Sequence, residues 1–151
     1  MTAFSKVVEV RWADIDANQH MRHSAYADLC THTRLEWLQA AGFGADEFKR
    51  QGFGPVLFRE STDYRREVNL GERLDINVLI AAASPDNSRW QIRQEMRKAD
   101  GTLAAVYEVA GAWLDLRSRK LIAPPPALAD ILAALPRSAD FTALPLPQSA
   151  A

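Results

Sequence analysis

Between Arg11 and Tyr26 the chain reads RWADIDANQHMRHSAY, which sets Asp14, Asp16, His20, Arg22 and His23 just ahead of an apolar stretch. A carboxylate can take a proton from water or attack a carbonyl carbon itself, and an imidazole can position water or protonate a leaving group. If a helix starts directly after the run, its first-turn amides have no partner within the helix and can stabilise an oxyanion. The same residues offer a second chemistry. Asp16, His20 and His23 include two imidazoles three residues apart, a spacing that would suit zinc on a helix. The stretch reads as a loop, however, and no second ligand cluster accompanies it, so no metal is expected.

Within the run, Asp16 is the candidate base or nucleophile, against the plainer role of a turn or capping residue. His23 stands at the helix entrance, where its backbone N–H is an oxyanion donor whatever its imidazole does. Asp14 is expected to orient the loop through hydrogen bonds, and His20 to shape it. Cys30 falls on an apolar stripe and is expected to be a small buried hydrophobe rather than a nucleophile.

The elements that must hold these residues follow from periodicity. Val8, Val10 and Trp12 alternate with Glu9 and Arg11 as in a strand. Ser24 can cap a long amphipathic helix presenting Tyr26, Leu29, Cys30, Thr33, Trp37 and Ala41 on one face, closed by Gly42 and Gly44. The period then changes. Residues 56–58 and 62–68 read as extended chain ended by the turn Asn69-Leu70-Gly71-Glu72. Leu74, Ile76, Val78 and Ile80 alternate with Asp75 and Asn77. Trp90, Ile92 and Met96 share a face, and Asp100-Gly101 marks a hairpin into an apolar strand from Leu103 to Leu116. Gly111 within that strand requires a close neighbour on one side. Pro124-Pro125-Pro126 opens a short helix, Ala127 to Leu135, stopped by Pro136. One strand, one long helix and then a meander of strands is an α+β pattern, with the helix packed on the concave side of a curved sheet. A single domain is expected over residues 1–135, followed by a mobile tail over 136–151.

Composition narrows the partners. A net charge of −1 gives no electrostatic case for nucleic acid or an anionic membrane. One cysteine excludes an internal disulfide and fits a reducing compartment. No signal-peptide pattern and no membrane-spanning apolar run is visible, so a cytoplasmic location is expected.

The run from Arg11 to Tyr26, continued by Arg34-Leu35-Glu36-Trp37-Leu38, resembles the opening of the 4-hydroxybenzoyl-CoA thioesterase-like branch of the hotdog-fold acyl-CoA thioesterases. That opening has an aromatic residue, Asp-x-Asp, a short loop often containing Gly-His, a polar helix cap, a tyrosine and an arginine further along the helix. Tyr64 before a basic pair, Gly71-Glu72, Asp100-Gly101 and a final strand ending in Asp115 are similar too. The sequence departs from the pattern at Gln19, where glycine is frequent, and at Arg22-His23, where many relatives carry an asparagine pair.

The resemblance implies a hotdog fold, a curved antiparallel sheet wrapped around one long central helix. It also implies a homodimer or homotetramer with a continuous intersubunit sheet, and hydrolysis of an acyl-CoA thioester to free acid and coenzyme A at the dimer interface. Asp16 is then the catalytic carboxylate, and His23 stands where some bacterial short-chain relatives carry a histidine. Tyr26, Arg65 and Arg66 are the candidates for contacting substrate, and no cofactor is needed beyond the coenzyme A of the substrate itself. Two other functions use the same fold: a non-catalytic acyl-CoA-binding regulator and a hydratase or dehydratase.

Overall fold

The computed structural model describes residues 3–147. Along the meander, Leu74, Ile76, Val78 and Ile80 are all buried, as their alternation requires. Leu74 and Ile76 belong to β3 (Arg73–Asn77) and Ile80 to β4 (Leu79–Ala83), with Val78 between these two halves of one ribbon. Both halves pair antiparallel with β5 (Arg89–Lys98), which carries Trp90, Ile92 and Met96 inward. The Asp100-Gly101 hairpin turns β5 back into β6 (Leu103–Asp115), and β6 pairs in turn with β2 (Phe53–Tyr64). On the far side, β1 (Ser5–Glu9) joins β3, while the short β7 (Leu121–Ile122) joins the end of β6.

Helix α1 (His23–Ala40) lies against this sheet and packs on β1, β3 and β6. Ala25, Tyr26, Cys30, Thr33, Trp37 and Leu38 form its buried face. Arg34 is also buried there. Its guanidinium donates to Gln94 Oε1 at 3.0 Å and lies 5.5 Å from the centre of the Tyr107 ring, while Leu35 faces out. The apolar stripe of α1 is therefore interrupted by a buried arginine that donates to Gln94 and Thr31. Burial pushes the Cys30 thiol up to about 12, so it stays protonated and inert, as its place on the stripe predicts.

Gly111 has the close neighbour its position calls for. A Cβ there would collide with the Val56 carbonyl and come within 2.6 Å of the Trp90 ring. Trp90 is one of a set of aromatic residues, with Trp113, Phe53, Phe48 and Phe43, that fills this end of the core. Phe48 arrives on α2 (Ala45–Gln51), a single short helix between Gly44 and the left-handed Gly52.

Several sequence expectations need correction. β1 ends at Glu9, and Trp12 begins a 3-10 turn, Trp12–Asp14, with its side chain 84% exposed. Ser24 is not the cap. Arg22 occupies that position, and Ser24 Oγ accepts a hydrogen bond from the Arg22 guanidinium. Ala41 follows the helix and is exposed. The extended stretch is one continuous strand, β2, with a bulge at Phe58, and residues 65–68 lie beyond its end. The last helix, α3, spans Pro126–Ala133.

The segment after Pro136 departs most from expectation. Arg137–Ala143 form β8, parallel to β4 and, among the described residues, the one parallel strand in an otherwise antiparallel sheet. Arg93 Nη1 and Nη2 grip both oxygens of Asp140 at 2.7 and 3.0 Å, and Arg93 Nε holds Glu108 at 2.8 Å. A Pro- and Ala-rich composition reads as unstructured, yet the edge of β4 and the Arg93 side chain, on the outer face of β5, give it a place. Residues 148–151 of the expected tail lie outside the described residues. With this strand included, the architecture is the α+β hotdog arrangement, a curved sheet around one long helix.

Candidate active site

The loop from Ile15 to Met21 folds back on itself, with Ile15 and Met21 bridged antiparallel. The Asp16 amide donates to the His20 carbonyl at 3.0 Å, and the Gln19 amide donates to the Asp16 carbonyl at 3.0 Å. Asp16 Oδ1 accepts from the Asn18 amide at 2.8 Å, an Asx turn, with the His20 amide at 3.4 Å. Closing so tight a loop puts Gln19 at φ 67°, the left-handed region that glycine enters without strain. That is the physical sense of glycine being frequent at this place in similar sequences.

Two anchors fix the loop to the body. The Met21 amide donates to the Val68 carbonyl at 2.7 Å, and the Arg22 amide donates to the Asp14 carbonyl at 2.7 Å. Asp14 is buried and saturated. Its carboxylate accepts from the Arg11 amide at 2.9 Å, from Arg11 Nε at 3.1 Å and from the Arg11 terminal nitrogen at 3.0 Å. The Arg11 guanidinium bound to Asp14 holds that carboxyl below the ordinary carboxylate range. Asp14 therefore orients the loop, in keeping with the role its position suggested.

Asp16 stands differently. It lines an open depression of about 340 Å³ with His20, Met21, His23, Tyr26, Tyr64 and the segment Arg65-Arg66-Glu67. All five candidates named from the sequence, Asp16, His23, Tyr26, Arg65 and Arg66, thus come to one place. The depression sits at the start of α1. The Ala25 amide there donates to the Arg22 carbonyl at 3.0 Å, leaving the His23 and Ser24 amides without acceptors among the described residues. A carboxylate in a depression at the start of a helix can activate a nucleophile, and unpaired first-turn amides can stabilise the oxyanion that attack on a carbonyl creates. Burial is the main cause raising the Tyr26 phenol above its usual range, so it remains a neutral wall of the site.

Three lining residues were missed or given a lesser part by the sequence reading. Tyr64 ends β2, donates to the His23 carbonyl at 3.4 Å and packs edge-on against Tyr26, the ring centres 4.9 Å apart. Glu67 approaches from the segment after β2, with Oε2 3.1 Å from His20 Nε2. His20 was expected only to shape the loop. Its pairing with a carboxylate 47 residues away depends on where β2 ends, which no local pattern states. The His23 imidazole, by contrast, is exposed and has no hydrogen-bond partner among the described residues. No group of three or more metal-ligating side chains occurs among the described residues, and no described helix is long and apolar enough to cross a membrane.

With this geometry in view, comparison with solved structures is informative about the fold. A Staphylococcus aureus protein, SAV2348, solved in complex with CoA, superposes with a TM-score of 0.81 at 23% identity, covering 87% of this chain and 82% of that one. Slr0204 of Synechocystis, a 1,4-dihydroxy-2-naphthoyl-CoA thioesterase, gives 0.80 at 21% identity over 89% of this chain and 98% of its own. A DHNA-CoA thioesterase from Staphylococcus aureus gives 0.77 at 18% identity over 85% and 87%. No curated protein sequence matches. The model of the thioesterase-like superfamily matches residues 10–132, from just after β1 into the last helix, and the chain belongs to that superfamily.

Proposed function

We propose that the chain hydrolyses an acyl-CoA thioester to the free acid and coenzyme A. The observation that carries this reading is Asp16, oriented by the Asn18 amide and open to a depression at the first turn of α1. Asp16 either takes the proton from an attacking water or attacks the thioester carbonyl itself, and the open His23 and Ser24 amides receive the oxyanion. Tyr26 and Tyr64 wall the acyl side, and Arg65 and Arg66 meet the charged end of coenzyme A. No cofactor enters this chemistry, and turnover is expected to survive exhaustive chelation. The superfamily and the CoA-bound structural neighbour support the substrate class.

The site is proposed to work in a homodimer or homotetramer. Among the described residues β2 pairs only with β6, which leaves its other edge open there, and Leu57 and Phe58 on it are 45% and 59% exposed. A second copy adding its own β2 would cover both. Light scattering is expected to give a dimer or larger assembly at micromolar concentration.

Release of free thiol from a panel of aliphatic and aromatic acyl-CoAs tests the activity. Turnover of at least one member is expected. Binding throughout the panel without thiol release would mark an acyl-CoA-binding regulator, and hydration of an enoyl member would mark a hydratase.

A further inference from the structure

His20 and Glu67 form a second ionisable pair in the same depression as Asp16, and the reaction as proposed leaves one proton unassigned. When the carbon–sulfur bond breaks, the electron pair stays on sulfur and coenzyme A departs as an alkanethiolate. An alkanethiolate is a stronger base than a neutral imidazole, so transfer from imidazolium to the departing sulfur is downhill. We propose that His20, oriented by Glu67, donates the proton to the leaving thiolate. This rests on the thioesterase reading above and assigns within it a second chemical group.

The geometry separates His20 from the other histidine at the site. Glu67 Oε2 stands 3.1 Å from Nε2, within ion-pair distance, and Nδ1 has no hydrogen-bond partner among the described residues. The His20 backbone is tied to Asp16 in both directions, through its carbonyl at 3.0 Å and its amide at 3.4 Å. The two side chains therefore sit on one small rigid loop, at its two ends. The His23 imidazole has no such tether, so only its backbone is placed with precision.

The bookkeeping of bonds closes on either route for Asp16. If water attacks, its oxygen bonds to the carbonyl carbon while its proton passes to Asp16. The C–S bond then breaks, sulfur takes the His20 proton, and Asp16 and His20 re-equilibrate through solvent. If Asp16 attacks, its oxygen bonds to the carbonyl carbon, the thiolate leaves with the His20 proton, and water hydrolyses the anhydride, returning a proton to neutral His20. Glu67 touches neither carbon nor sulfur and is a positioning residue.

The test compares two substrates of one acyl acid, the CoA ester and the thiophenyl ester, whose departing thiolate is far less basic and needs no acid. His20→Asn keeps the backbone hydrogen bonds of the loop. It is expected to lower kcat/KM about 10²-fold on the CoA ester, the low end for losing a general acid, and less than about tenfold on the thiophenyl ester. Glu67→Gln, which keeps an acceptor but removes the charge, is expected to show a smaller loss with the same substrate pattern. Equal losses on the two esters in folded His20→Asn would overturn the assignment, since a merely structural role does not distinguish leaving groups. Wild-type protein that releases thiol from neither ester would overturn the thioesterase reading itself, an outcome distinct from the first.

Discussion

The Asp14 carboxylate is bound on both oxygens by Arg11, whose backbone amide, Nε and terminal nitrogen all donate to it. Two residues on, Asp16 receives only backbone amides of its own loop and opens to the depression. The Asp-x-Asp pair thus divides into one carboxylate that holds the loop and one that the loop presents.

Asp14→Asn is expected to destabilise the fold by about 1.5–3 kcal/mol, the range for a hydrogen bond to a charged group. Its pH dependence has a definite sign. The Asp14 carboxyl is held below its ordinary value of 3.8, so its contribution is present above that value and lost as pH falls through the lower folded-state value. Thermal melts of wild type and Asp14→Asn should differ at neutral pH and converge as the pH drops below about 4.

Gly111→Ala is expected to cost about 1–3 kcal/mol through overpacking. The Trp90 ring could shift, but the Val56 carbonyl belongs to the neighbouring strand and cannot move without disturbing the β2–β6 pairing. Denaturant unfolding with an unchanged slope and a lower midpoint would register it.

Arg93→Ala is expected to loosen β8 selectively. Arg93 is the cation that ties Asp140 on β8 to Glu108 on β6. Amide exchange should quicken over residues 137–143 while the β5–β6 ladder keeps its protection. In wild type, Arg93 holds the Asp140 carboxyl at about 2, below its ordinary 3.8. The tether is therefore present above the ordinary value, and β8 should loosen as the pH falls from 3.8 towards 2.

How far the sequence discloses this site depends on distance along the chain. Asp16, His23 and Tyr26 lie within eleven residues, where a turn signal and a helical period suffice to place them together. The strand ladder from Leu74 to Asp115 is equally plain, because inward and outward residues alternate. The Glu67–His20 contact and the docking of β8 on β4 are set by long-range strand register instead. Trp12 misled because alternation continued past the point where the Arg11–Asp14 capping contacts turn the chain. Arg34 interrupts an apolar helix face, and only the positions of Gln94 and Tyr107 on facing strands explain how it is accommodated.

The central claim is that the Asp16 carboxylate performs the chemistry, and steady-state kinetics of Asp16→Asn on a good acyl-CoA substrate tests it. Asparagine keeps the size of the side chain and an oxygen for the Asn18 amide but cannot act as base or nucleophile. Turnover is predicted to fall by at least about 10²-fold with substrate affinity little changed, and His23→Ala, which leaves the backbone amide in place, to lose less. Near wild-type turnover in an Asp16→Asn protein shown by its melt to be folded would contradict the account.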